Sequence, residues 1–355
     1  MKKLSKLTAL LLSGTLLFTL AACSGGQGSA ATPTPAADST PPSAAPQEST
    51  APSQAPTGGD SDEKFTVGIC QLAPHPALDA ATQGFKDYLT ETFGENVTFT
   101  EGNAGGEFAN CGTIVDGFLS EGVDLILANA TSPLQAAASA TSEIPILGTS
   151  VTNYAVALGL DDVSTQVIGG NISGTSDLAP LEEQAALLQE MFPEAKKVGL
   201  LYCSAEPNSV YQIETISGYL TEMGYTCTPY AFTDVNDLAS VTQTACDNSD
   251  VLYVPTDNTA ANNTETIANV VIPAKVPVIA GESGICSGCG TATLSISYYD
   301  IGHIAGEMAA KILRGEADIS TMPIEYAPTV TKMYNEANCQ ALGITPPEGY
   351  EAITE

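Results

Sequence analysis

From Phe65 onward the chain alternates short apolar runs with longer stretches whose apolar residues recur three or four apart. Phe65 to Cys70, Val97 to Thr100, Val123 to Ala128 and Ile144 to Leu147 read as strands. Helical spacing fills the gaps: Ala77 to Phe93 has Leu78, Phe85, Tyr88 and Leu89 on one face, and Glu107 to Leu119 has Phe108, Ile114, Val115 and Phe118. Ser132-Pro133 opens a third, Ala-rich helix, with Pro at a favoured first-turn position. The plan then restarts. Helices are predicted over 182–192, 209–223, 237–246 and 259–271, and strands over 197–202, 226–230, 251–254 and 276–280. Strict alternation of this kind predicts α/β architecture: two doubly wound lobes of parallel sheet, each sheet covered on both faces. After the run Thr291 to Ile296, a last helix over 299–313 is expected to return to the first lobe, and a strand near 324–329 to the second. The boundaries predicted are 65–172 plus 296–321 for the first lobe and 173–295 plus 322–345 for the second.

Residues 1–62 break this pattern. A basic start (Lys2, Lys3, Lys6), an apolar run from Leu7 to Leu20 and small residues leading to Cys23 read as a secretory signal, 1–23. The run Leu20-Ala-Ala-Cys23 resembles the bacterial lipobox, which implies that Cys23 is lipidated and that the mature chain is anchored on the outer face of the cell membrane. Residues 24–62 are almost wholly Ser, Gly, Ala, Thr, Pro and Gln, a composition that cannot bury a core, and read as a disordered tether.

Charge excludes several functions. Eleven Lys and Arg stand against 41 Asp and Glu, a formal charge of −30 on 355 residues. A nucleic-acid partner would need a basic footprint that is absent here. Past residue 62 the bases are Lys64, Lys86, Lys196, Lys197, Lys275, Lys311, Arg314 and Lys332, and none falls at a predicted strand tip. An anionic ligand would be buried without a counter-charge.

In doubly wound sheets, ligands sit beyond the carboxyl ends of the strands. Those tips carry short hydroxyl, amide and carboxylate groups: Gln71 and His75, Asn103, Thr131 and Ser132, Thr149, Ser176 and Asp177, Asn208 and Ser209, Thr256, Asp257 and Asn258, Glu282, and Asp300 ahead of the last helix. Singly, such residues cap the helices that follow. As a set they line a cleft between two lobes with donors and acceptors for a small ligand. Hydroxyls and backbone N–H groups, as at Thr131 or Ser176, suit a lone carboxylate. Asp177, Asp257 and Glu282 are candidates for an ammonium, and Tyr154 and Tyr298 for ring walls or ordinary packing.

The runs Leu72 to Asp79, Asn103 to Asn110, Val123 to Ala128, Gly174 to Asp177, Tyr202 to Ser209, Val254-Pro-Thr-Asp-Asn258 and Ser297 to Gly302 resemble the substrate-binding lipoproteins of ABC importers of the tryptophan and aromatic amino-acid type. The resemblance covers roughly 65–343 and implies a type I periplasmic-binding fold, two lobes on three crossing segments that close around one small ligand. It also implies an ABC permease as partner, besides the ligand and the membrane, and a monomer that carries no cofactor or metal and performs no catalysis. The residues themselves leave open a sugar or nucleoside as cargo, a periplasmic hydrolase or deaminase, and a sensor without a transporter. Absent Trp and sparse Arg weigh against a sugar, and no GxSxG, HExxH or P-loop is present.

Cys286-Ser-Gly-Cys289 is the close cysteine pair, in a Gly-rich stretch expected to be a loop. A structural disulfide and two plain thiols both fit it, and only His75 and His303 could complete a zinc set.

Overall fold

The computed structural model describes residues 63–353 apart from Val163. The signal segment, Cys23 and the tether lie outside the described residues. Five parallel strands, β1 (Phe65–Gln71), β2 (Val97–Asn103), β3 (Leu125–Asn129), β4 (Ile146–Thr149) and β5 (Ile172–Ser176), form the first sheet. The short β11 (Glu325–Tyr326) pairs with β5 at its edge, giving the order β11-β5-β4-β3-β1-β2. The second sheet runs β13-β12-β10-β9-β8-β6-β7, from β6 (Lys197–Cys203), β7 (Thr226–Phe232), β8 (Val251–Val254), β9 (Val278–Ala280), β10 (Ala292–Ile296), β12 (Val330–Tyr334) and β13 (Glu351–Ala352). Only β12 meets a neighbour antiparallel, pairing with β10.

Alternation along β1 shows why these residues make a sheet buried on both faces. Val67 and Ile69 pack with Phe85, Leu89, Leu125 and Leu127 on one side, while Cys70 packs with Phe118, Ile126 and Ala128 on the other. The helices on the first side are α1 (Pro76–Phe93) and α11 (Tyr298–Leu313). They approach unusually closely because glycines face each other's backbone. A Cβ at Gly302 would lie 1.9 Å from Ala81 O, and one at Gly84 would lie 2.1 Å from Tyr299 O. In the first lobe, α2 (Phe108–Glu121), α3 (Thr131–Ala140) and α4 (Tyr154–Leu158) follow their strands. In the second lobe, α5 (Leu181–Met191), α6 (Pro207–Glu222), α7 (Val235–Asn248), α8 (Asn258–Ala261), α9 (Thr264–Ala274), α10 (Ser283–Gly288) and α12 (Glu336–Leu342) do the same.

The chain passes between lobes three times: after β5, between β10 and α11, and between β11 and β12. Two boundaries differ from the sequence reading. Residues 173–176, expected in the second lobe, pair in the first sheet as β5, with Ser173 and Gly174 opposite Leu147 and Gly148 of β4. The strand expected near 324–329 divides: Glu325–Tyr326 joins the first sheet, and the return to the second is made by Val330–Tyr334. The helix expected over 259–271 is broken into α8 and α9, where Asn262 and Asn263 intervene. The expected Gly281–Gly290 loop contains α10, started by Glu282, whose side chain accepts from Gly284 N and Ile285 N.

Candidate functional site

The tips of both sheets meet around a small, narrow space between the lobes. The first lobe supplies His75, Ala77 and Leu78 at the start of α1, Asp177 just past β5, and Tyr298 at the start of α11. The second supplies Thr256, Asp257 and Asn258 after β8, Ala261 on α8, and Glu282 after β9. The lobes touch directly here, with His75 Nε2 3.3 Å from Asn258 Oδ1. A wider groove at the mouth is rimmed by Phe108 from one lobe and Val235 from the other, both exposed.

Three buried carboxylates dominate the electrostatics. Asp177 accepts from Thr152 Oγ1 at 2.9 Å and from Tyr298 Oη at 3.0 Å, and burial pushes its pKa up to about 6. Glu282 caps α10, and burial, with Asp177 nearby, pushes it up to about 7. Asp257 caps α8, taking Ala260 N at 2.8 Å and Cys203 N at 2.7 Å, and burial together with Glu206 pushes it up to about 7. No Lys or Arg lines the cavity. His75 is held neutral, its pKa lowered chiefly by burial. A cavity of this kind favours a guest that carries a positive charge and disfavours an anion. Two lining atoms, His75 Nδ1 and Thr256 Oγ1, are buried without a hydrogen-bond partner.

Of the residues expected from sequence, His75, Asp177, Thr256, Asp257, Asn258 and Glu282 come together around this space. The others serve the frame. Gln71 Nε2 donates to Ala73 O and Asp79 Oδ1, and Gln71 Oε1 accepts from Thr82, so its amide is spent within its own lobe. Asn103 Oδ1 accepts from Gly105 N and closes a turn. Thr149 accepts from Thr175 Oγ1, and Ser176 Oγ donates to Thr152 O, one layer behind the cavity. Asn208 Nδ2 bonds Glu206 and Thr256 O, fixing the loop after β8 from behind, with buried Ser209 beside it. Thr131 and Ser132 begin α3 and do not line the cavity, and Asp300, on α11, is half exposed. Of the two tyrosines considered as walls, Tyr298 lines the space, while Tyr154 is buried and donates to Thr175 O. Cys286 and Cys289 are two free thiols, both buried. Each is placed separately by α10, whose Ile285 O accepts from Cys289 Sγ.

Sequence reasoning missed Glu206. This buried carboxylate takes Asn258 N, Asn258 Nδ2, Thr259 N, Thr259 Oγ1 and Asn208 Nδ2. The available signal was an acid just before Pro207 in a tip with no base near it.

Residues 66–352 match the family described as ABC transporter substrate binding protein. The chain belongs to that family. A curated relative, the Tyrosine-binding protein of Clostridioides difficile (strain R20291), is 33% identical over 286 residues, spanning 80% of this chain and 82% of the relative. An ABC domain in complex with L-Trp from Streptococcus pneumonia is 29% identical and superposes with a TM-score of 0.78 over 82% of this chain and all of its own. A ligand-free, open substrate binding protein with adhesive properties from Clostridium difficile is 34% identical over 82% of this chain and 99% of its own, yet superposes at only 0.64. The better sequence match thus gives the poorer superposition. The family fold is the two-lobed type I periplasmic-binding architecture.

Proposed function

We propose that this protein is the extracytoplasmic receptor of an ABC importer, anchored through lipidated Cys23, and that it captures an aromatic amino acid between its lobes. The observation that carries the reading is the base-free cavity in which Asp177 and Glu282 face one another from opposite lobes. An α-ammonium neutralises that pair only when the lobes are shut, so ligand and closure favour one another. The Tyr298 side chain, Ala77 and Leu78 beside the acids give an aromatic guest ring and methyl surface to pack on. The names of the relatives, one tyrosine-binding and one solved with L-Trp, support the aromatic class. The closed monomer then docks on a membrane permease, whose own ATPase drives transport.

A thermal-shift screen of the purified body against free amino acids, sugars and nucleosides tests this. The expected result is a rise in Tm with L-Tyr, L-Trp or L-Phe and none with sugars or nucleosides. A rise confined to a sugar or nucleoside, or turnover of any bound compound, would refute the proposal.

A further inference from the structure

Asn258 sits where the lobes touch. Its Nδ2 donates to Glu206 Oε2 at 2.7 Å, and its Oδ1 faces His75 Nε2 at 3.3 Å. Glu206 is itself pinned, with Asn258 N at 3.0 Å, Thr259 N at 2.8 Å and Thr259 Oγ1 at 2.7 Å. A carboxylate offers only acceptors, so it must face the NH₂ side of the Asn258 amide. That leaves the amide oxygen toward His75. An amide oxygen cannot donate, so the proton of the neutral ring stands on Nε2. Nδ1 is then a bare acceptor. It is buried and makes no hydrogen bond, although its ring lines the cavity.

The geometry points to His75 Nδ1 as the acceptor for one N–H of the ligand's α-ammonium, with Glu206 and Asn258 as positioning residues that fix the ring's tautomer. This rests on the ligand reading above. An ammonium has three N–H bonds to place. Asp177 and Glu282, on the same wall set, take two, and His75 completes the count. The ring then serves both partners at once. One nitrogen latches the lobes through Asn258, and the other senses that the ligand has arrived. Neither bond alone fixes the ring; both together do, so a vacant closed state keeps an unsatisfied buried nitrogen.

The chain has two histidines, and His303 meets Tyr88 edge-on and lies tilted against Tyr299, outside the lining of the cavity, so His303→Gln assigns both signals in a ¹⁵N-histidine spectrum. With L-Tyr or L-Phe added, His75 is expected to carry its proton on Nε2, and its Nδ1 resonance to move equally with both. Asn258→Ala should weaken L-Tyr binding about tenfold, and Glu206→Gln should mix the two tautomers. A proton on Nδ1 in the complex, or an Nδ1 signal that ignores the ligand, overturns the proposal. So does movement with L-Tyr but not L-Phe, which would assign the donor to the phenol. Binding by none of the amino acids overturns the functional reading and this proposal with it, whereas binding without the His75 signature overturns this proposal alone.

Discussion

Exchanging Asp177 for Asn keeps the side chain's shape and removes its charge, and two opposite effects follow. In this structure the carboxyl is fully buried and its pKa is raised from 3.8 to about 6. A carboxyl raised in this way contributes stability at low pH that is lost as pH climbs through about 6. At pH 7.5 the gap from an ordinary aspartate corresponds to about 3 kcal/mol against the ionised form. Asn removes that opposition. It also disturbs the bonds from Thr152 and Tyr298, at 2.9 and 3.0 Å, which returns about 1–2 kcal/mol. The net expectation is a ligand-free variant as stable as the parent or about 1–2 kcal/mol more so. Affinity moves the other way. Deleting one partner of a buried ion pair costs about 3–5 kcal/mol, a loss of roughly a hundredfold or more. Calorimetry with L-Tyr at pH 7.5 reads the second effect and scanning calorimetry without ligand reads the first. A variant that binds L-Tyr like the parent, or that is clearly less stable when empty, refutes the role given to Asp177.

Acid should close the empty protein. As pH falls from 8 to 5.5 through the raised values of Asp177 and Glu282, their protonation removes the repulsion across the cleft, and the radius of gyration from X-ray scattering should shrink without ligand. Gly302→Ala should lower Tm by several degrees, since its Cβ would meet Ala81 O at 1.9 Å and force α1 from α11 at a cost of about 1–3 kcal/mol. Gln184→Leu should destabilise the second lobe by about 2–4 kcal/mol in urea unfolding, because Gly281 O, Leu294 O and Tyr253 Oη would all lose their buried partner. The eight described cysteines should react with a thiol reagent only after denaturation, except half-exposed Cys227, and a failure of Cys286 and Cys289 to react in the denatured protein until a reductant is added would contradict their free state.

The fold was legible because burial on both faces leaves little choice of period. Leu125 to Ala128 is apolar throughout, as a strand buried on both faces requires. The site was legible in part because tip residues with dual roles look alike in sequence. Asp257 and Asn103 are both short polar groups after a strand; one reaches the cavity, while the other closes its own turn. What separates them is which edge of the sheet the strand occupies. β8 is central in its sheet and β2 is at the rim of its own, an order that no local pattern encodes. Glu206 escaped for a different reason. Apart from Asn208, its partners, Asn258 and Thr259, lie over fifty residues away, so little near it in the chain shows that it will be satisfied. The division of 324–329 was illegible because a two-residue strand has no period to detect.

The glycine-to-backbone contact between α1 and α11 reaches beyond stability. His75 precedes one of these helices and Tyr298 begins the other, so locking the pair shoulder to shoulder casts half of the recognition surface in advance. A guest then meets a finished mould on that side and has little left to organise there. Selectivity for a different cargo would be reached most readily by exchanging residues on the opposing half, such as Thr256 and Ala261, while the cast half stays as it is.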